Sequence, residues 1–350
     1  MDIKQLSKQT IALPFIGQGA GSYSWNDTHI KTLREGIDFG MNFIDTAENY
    51  DDGMSEEIIG RAIKDIRKKV IIGTKFSSEN SSYKDILTSV EGSLKRLNTD
   101  YIDLYQLHWP NPEVPFDETI KAMKQLVKWG KVRYIGVSNL YLKNLKIICS
   151  ELGSGNLSSL QIEYNLFDRT IEEDGTLNFC EDNNILVIAF SPLSTGGIMY
   201  GEKQREALYA IAKKYHRSPA QIILRWLTSK SNVVTIPKAM QLQHLRENAA
   251  SIDFDIFDND IEFIDKNIKG RVEMIPVEKI RASEDDLDKF TTHPKVLTKY
   301  LHNGETLKPI RVVKSKDNPE EYDLVEGRYR YWAWRVSDFG EYPIKALIKE

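Results

Sequence analysis

Short apolar, β-branched-rich runs alternate along this chain with longer segments in which apolar residues recur every three or four positions. The short runs predict strands at 15–18, 42–45, 70–75, 102–107, 132–137, 160–163, 186–190 and 233–236. Helical spacing predicts helices at 27–39, 55–66, 83–97, 117–129 and 204–215, with Asn26 and Asp27 capping the first and Ser55 ahead of Glu56 and Glu57 capping the second. Gly40, Gly130 and Gly153 stand where helices should stop. A strand-then-helix unit repeated eight times in about 250 residues predicts an α/β fold of the (β/α)8, or TIM barrel, kind. A doubly wound open sheet has the same periodicity, because periodicity does not report closure.

The pattern changes near Gly270. Residues 1–270 are read as the barrel domain and 271–350 as a second, small α+β domain, opening with Ile275-Pro276-Val277 and ending in the strand-like run 342–348. Fifteen basic and fifteen acidic residues make 271–350 neutral, so the net charge of −4 belongs to the barrel, and a dedicated nucleic-acid partner is not expected. Two cysteines, Cys149 and Cys180, provide no disulfide framework and fit a reduced compartment. The amino-terminal stretch lacks the apolar core of a signal peptide, and the longest apolar run, near 185–190, is far short of a membrane span. These features predict a cytoplasmic protein without a membrane partner. His29, His216, His293 and His302 show no ligand spacing, so no metal site is expected.

In TIM barrels, polar residues at the carboxyl ends of strands are the catalytic candidates. Asp45, Lys75 and His108 end three of the predicted strands, and Tyr50 follows Asp45 by five residues. Singly, each also fits a structural role: a cap, a solvated lysine, a core histidine, a packed loop aromatic. Together they fall on one rim. Gly17-Gln18-Gly19-Ala20-Gly21 approaches a dinucleotide fingerprint, but Ser22 stands at the third glycine position and no clean βαβ unit follows, so it is read as the first strand and its exit.

The ordered segments Asn42-Phe43-Ile44-Asp45-Thr46-Ala47, Tyr50, Gly73-Thr74-Lys75, Asp100 to Pro110, Gly130 to Asn139 and Ile236-Pro237-Lys238 resemble the aldo-keto reductases over about residues 15–268. The resemblance implies an oxidoreductase using NADP (NADPH), with NAD possible, that moves a hydride between nicotinamide and a small-molecule carbonyl substrate. It implies Tyr50 as proton donor, Lys75 favouring the phenolate, Asp45 holding Lys75, and His108 donating to the substrate oxygen. Ser138, Asn139 and Gln161 would hold the carboxamide, Ser191, Pro192, Leu193 and Gly196 the pyrophosphate, and Ile236, Lys238, His244 and Asn248 the adenosine end. Here the sequence departs from the family: His244 replaces an arginine, and Ala239 a small hydroxyl residue. Tyr23, Trp25, Phe76 and Trp109 are the candidates for the substrate mouth.

Residues 274–348 resemble the ParB-like and sulfiredoxin-like family through Ile275 to Ile280, Lys308 to Val313 and Tyr322 to Ala333. That resemblance implies a phosphate site at Gly327, Arg328 and Arg330, without the sulfiredoxin cysteine, whose place Arg328 takes. Three uses stay open for this part: a nucleotide- or phosphate-binding module in a bifunctional enzyme, a small metabolite kinase with Glu284 as base, or a lid over the substrate pocket. For the whole chain, a poorly active NADP-binding redox sensor is the alternative to an enzyme.

Overall fold

Strands buried on both faces are written as continuous apolar and small-residue runs, whereas half-buried strands alternate. The computed structural model describes residues 2–5, 11–21, 27–194, 201–283, 294, 297–298, 301 and 307–349, and eight of its strands are of the first kind or close to it. After a two-stranded antiparallel hairpin, β1 (Ile3–Lys4) with β2 (Leu13–Pro14), come β3 (Gln18–Gly19), β4 (Phe43–Asp45), β5 (Ile71–Phe76), β6 (Ile102–Leu107), β7 (Val132–Ser138), β8 (Leu157–Glu163), β9 (Leu186–Phe190) and β10 (Val233–Thr235). Each of β3 to β10 pairs in parallel with its sequence neighbour. Ile16 bridges Thr235 in parallel, with Gly17 N–H donating to Thr235 O at 2.8 Å and Thr235 N–H to Phe15 O at 3.0 Å, so the curled sheet meets its own first edge. That decides between the barrel and the open sheet.

The glycines near this seam explain the false fingerprint. A Cβ on Gly17 would lie 2.7 Å from the Phe43 ring, and one on Gly19 would lie 2.7 Å from the Ile236 carbonyl oxygen. They are glycines because strands approach there.

Around the sheet run α1 (Asp27–Asp38), α2 (Met54–Ile63), α3 (Tyr83–Leu97), α4 (Phe116–Lys128), α5 (Leu142–Leu152), α6 (Thr170–Glu173), α7 (Thr176–Asp182), α8 (Glu202–Lys214), α9 (Pro219–Ser229), α10 (Leu242–Ala249) and α11 (Asp258–Asn267). Gly40, Gly130 and Gly153 take positive φ just past α1, α4 and α5, as their placement predicts. Ser55 is a correction. The residue before α2 is a left-handed Gly53 with no side-chain cap, and Ser55 lies buried inside the helix, donating to Ala20 O at 2.9 Å. No described helix is long and apolar enough to cross a membrane.

By compactness the chain forms two units: 1–165, 171–193 and 211–258 in the first, and 166–170, 194–210 and 259–350 in the second. The second contains a mixed five-stranded sheet of β11 (Arg271–Ile275), β12 (Ile280–Arg281), β13 (Ile310–Lys314), β14 (Tyr322–Glu326) and β15 (Ile344–Lys349), in the order β11-β15-β13-β14-β12. The helix α12 (Arg328–Arg335) contributes Tyr331 and Trp332 to a core with Ile275, Ile310, Val312, Ile344 and Ile348. This part is α+β, as its sequence predicts.

Candidate active site

Alternate residues of a strand share a face, so strand ends bring side chains from neighbouring strands to one level of a barrel. Asp45 closes β4, Lys75 lies one residue from the end of β5, and His108 follows β6. The Lys75 ammonium donates to Asp45 Oδ2 at 2.7 Å and to the Thr46 carbonyl at 2.7 Å, and neither Lys75 nor Asp45 is more than 3% exposed. The other carboxylate oxygen, Oδ1, accepts from Gln161 at 2.7 Å and Gln106 at 3.3 Å. Asp45 therefore collects donors from three other strands. A buried ion pair survives desolvation only with such supporting hydrogen bonds, and it is retained for more than stability. Burial works against the Lys75 charge, but Asp45 and the neighbouring Tyr50 outweigh it and raise its pKa.

Tyr50 lies in the segment between β4 and α2. Its ring meets the His108 ring edge-on, centroids 5.5 Å apart, and the Lys75 ammonium is 5.1 Å from its centre. Gly21 lies beside this ring: a Cβ there would meet it at 3.7 Å, an ordinary contact distance. Burial, helped by the Lys75 charge, pushes His108 down to about 3. The imidazole is neutral at working pH. Its Nδ1 is buried without a hydrogen-bond partner among the described residues, so an N–H there would have no acceptor, and the proton belongs on Nε2.

The candidate cofactor residues next to this cluster are already committed to one another. Asn139, at φ 59°, donates from its side chain to His108 O at 3.0 Å and to Ser138 Oγ at 3.0 Å, while its backbone N–H donates to Gln161 O at 2.9 Å. Ser191 is left-handed at φ 48°, and its carbonyl accepts from Asn165 at 3.2 Å. Pro192 is buried, and Leu193 packs against a cluster containing Ile16 and Leu245. The Ile236 side chain belongs to the barrel core with Phe43 and Leu104, and its backbone N–H donates to Ala189 O at 3.3 Å. Lys238 is exposed, with partial burial lowering it to about 8, Asn248 is buried, and His244 lies 3.6 Å from Glu247 on α10.

The substrate-mouth candidates divide. Trp109 is half exposed beside His108. Phe76 is fully buried and packs on Tyr105 at 5.2 Å between centroids, so as placed it is a core residue and not part of the mouth. Strand-end position alone does not say which face an aromatic takes. Tyr23, Trp25, Gly196 and Glu284 lie outside the described residues. Two participants were given no role by the sequence although they lie within the family-like segments, Gln106 and the Thr46 carbonyl. Gln106 stands two residues before His108, and the two-residue period could have found it.

Comparison with known proteins adds the family. Residues 16–269 match the description "Aldo/keto reductase family". The methylglyoxal reductase YeaE of Escherichia coli (strain K12) is 36% identical over 261 residues, covering 73% of this chain and 91% of that protein. A thermostable aldo-keto reductase crystallised with the inhibitor epalrestat superposes with a TM-score of 0.72 at 38% identity, covering 76% of this chain and 99% of its own. An aldo/keto reductase from Klebsiella pneumoniae, crystallised with NADP and acetate, gives 0.69 at 32% identity over 75% and 96% of the two chains. The matched stretch carries Asp45, Tyr50, Lys75 and His108 together on a closed parallel barrel, and this chain belongs to the aldo/keto reductase family.

Proposed function

We propose that this chain, an NADP(H)-dependent oxidoreductase interconverting carbonyls and alcohols, protonates the carbonyl oxygen from Tyr50 and takes small aldehydes as substrates. The substrate class rests on the name of the methylglyoxal reductase relative. The role of Tyr50 rests on the buried Asp45–Lys75 pair beside its ring and on a neutral His108 across from it.

The bound nicotinamide supplies the hydrogen and electron pair that reduce the carbonyl carbon. The chain's own residues do the rest. His108, donating from Nε2, fixes the substrate oxygen within reach of Tyr50. Lys75 keeps a positive charge under the tyrosine, stabilising the oxygen that gives up its proton. Asp45 keeps Lys75 pointing there. The donor set suits a carboxamide: Ser138 Oγ already accepts from Asn139 and is left to donate, while Gln161, its amide nitrogen committed to Asp45, is left to accept. A carboxamide offers the complementary acceptor and donor. Lys238 is the cation for the 2′-phosphate, and Asn248 lies buried on α10 downstream of it.

General acid catalysis is worth about 10²–10⁴-fold, so Tyr50→Phe should lower single-turnover reduction of methylglyoxal by NADPH by that factor with little change in NADPH affinity. A variant retaining half the native rate would remove Tyr50 from the chemistry.

For residues 271–349 we propose the ParB-like reading with a phosphate-binding turn. Left-handed Gly327, at φ 95°, precedes α12 without a side-chain cap, so the positive end of the helix stands at the turn that carries Arg328 and Arg330. The arginines there are not idle. Arg311 Nη1 lies 2.5 Å and Arg330 Nη2 3.8 Å from Glu326 carboxylate oxygens, so a bound phosphate would compete with Glu326.

A further inference from the structure

Tyr50 is followed by a turn that the chain would not adopt unaided. Asp51 (φ 49°, ψ 45°), Asp52 (φ 53°, ψ 35°) and Gly53 (φ 90°) are left-handed in succession. Two of them are not glycine, and a left-handed L-residue costs roughly 1–2 kcal/mol. Such a turn persists only where its surroundings hold both ends.

The downstream end is held by Ser55, which donates to Ala20 O at 2.9 Å and lies 2.8 Å from Thr46 Oγ1. Arg96 lies against Gly53, where a Cβ would approach its Cδ to 2.7 Å, and the same guanidinium donates to Glu56 at 2.7 Å. The upstream end is held by Glu48. Its backbone N–H donates to Lys75 O at 3.0 Å. Its carboxylate oxygen Oε1 accepts from Ser77 N–H at 2.8 Å, Ser77 Oγ at 2.9 Å and Asn80 Nδ2 at 2.8 Å.

Ser77 and Asn80 belong to the segment leaving β5 just after Lys75. That segment is tied to a third one, since Asn111 Nδ2, three residues past His108, donates to Ser78 O at 2.9 Å. One carboxylate oxygen thus ties the segment that carries Tyr50 to the one that follows Lys75, and Asn111 ties that one in turn to the segment after His108. Glu48 itself makes no contact with any of those three side chains by hydrogen bond or ion pair.

We infer that Glu48 is a positioning residue for the reaction: it fixes the Tyr50 turn against the exit of β5 and so sets the spacing of Tyr50 from Lys75. This rests on the reading of Tyr50 as proton donor. A misplacement of about 1 Å is enough to cost about 10²-fold in a reaction that depends on alignment.

The test compares Glu48→Ala, Glu48→Gln, Tyr50→Phe and Glu48→Ala/Tyr50→Phe in the full-length protein, measuring methylglyoxal turnover with NADPH, NADPH affinity and thermal melting. Glu48→Ala should lower kcat about 10- to 100-fold with NADPH affinity unchanged within about twofold. Glu48→Gln keeps an acceptor oxygen for the same donors and should recover kcat to within about threefold of native. In the Tyr50→Phe background, removing Glu48 should cost less than about threefold, because the residue it positions no longer acts. The inference is overturned if Glu48→Ala stays within about threefold of native, if Glu48→Gln falls as far as Glu48→Ala, or if the loss is the same with and without the tyrosine hydroxyl. Native turnover in Tyr50→Phe alone would instead overturn the Tyr50 reading, an outcome separate from the Glu48 series.

Discussion

A histidine of ordinary environment changes charge near pH 6.5, inside the range in which most enzymes work. His108 does not. Buried and facing the Lys75 charge, it is pushed to about 3, so it can serve as a hydrogen-bond donor of constant charge. The pH dependence of kcat should therefore show no acid limb from this imidazole between pH 5 and 8, checked by steady-state rates in buffers of constant ionic strength. The same shift has a stability consequence. The unfolded chain binds the extra proton below about 6.5 while the native one waits until about 3, so the contribution is complete above 6.5 and is lost as pH falls towards 3. Urea unfolding at pH 7 and pH 5 should reveal it: His108→Asn should shrink the difference between the two pH values, and an unchanged difference would mean that the imidazole charges normally. The serial order of Asp45, Tyr50, Lys75 and His108 was legible in the sequence because chemistry restricts which residue types stand at strand ends. What Gln161 touches was not. Its amide nitrogen is on Asp45, a contact between residues 116 positions apart that only barrel closure creates.

At the scale of elements, periodicity located β6 at 102–107, β9 at 186–190 and α3 at 83–97 to the residue, and most other boundaries within a few positions. It gave no range for α5, α6, α7, α9, α10 or α11. In α9, Ile222, Ile223, Leu224, Trp226 and Leu227 are all buried, and its Ser218–Gln221 capping box was in the sequence to be read. Glycines carry a second kind of element-scale information. Gly19 and Gly130 look alike in sequence but differ in cause: a Cβ on Gly19 meets the Ile236 carbonyl oxygen at 2.7 Å, whereas Gly130 has open space and only a positive φ of 74°. Gly19→Ala must push β3 off its neighbour at the closing seam, an overpacking cost of typically 1–3 kcal/mol. Gly130→Ala pays only the left-handed backbone term, about 1–2 kcal/mol, and touches no seam. In urea unfolding followed with and without NADPH, Gly19→Ala should lower both stability and cofactor affinity, while Gly130→Ala should lower stability alone. Equal effects on affinity would remove the seam from the account.

At the scale of the whole molecule, the change of pattern near Gly270 does not coincide with the edge of a compact unit. The second unit takes in 166–170 and 194–210 as well as everything from 259 onward, so its cohesion must cross long sequence separations. Three connections do so. Arg169, almost fully buried, donates to the carbonyls of Ile264 and Ile268 at the end of α11 and pairs with Asp265 at 2.8 Å. The Gly270 N–H donates to Phe167 O at 3.1 Å, and a Cβ on Gly270 would strike that oxygen at 2.3 Å. Lys308, just ahead of β13, lies 3.9 Å from Asp168, a carboxylate only 3% exposed that also accepts from Thr170 N–H and Oγ1. The first two connections involve residues before 271 alone, whereas the third reaches into the appended sheet. Removing one partner of a shielded pair takes its counter-charge from the other, which costs more than an exposed pair would. Lys308→Met should therefore destabilise the chain by about 1–3 kcal/mol. Asp168→Asn keeps an acceptor for Thr170 and loses the charge, so Lys308→Met in its background should cost less than half as much. Thermal melting of the four proteins in one buffer, repeated at high salt, measures this coupling. A cycle that closes additively would show that the connection between residues 166–170 and the appended sheet does not depend on this pair.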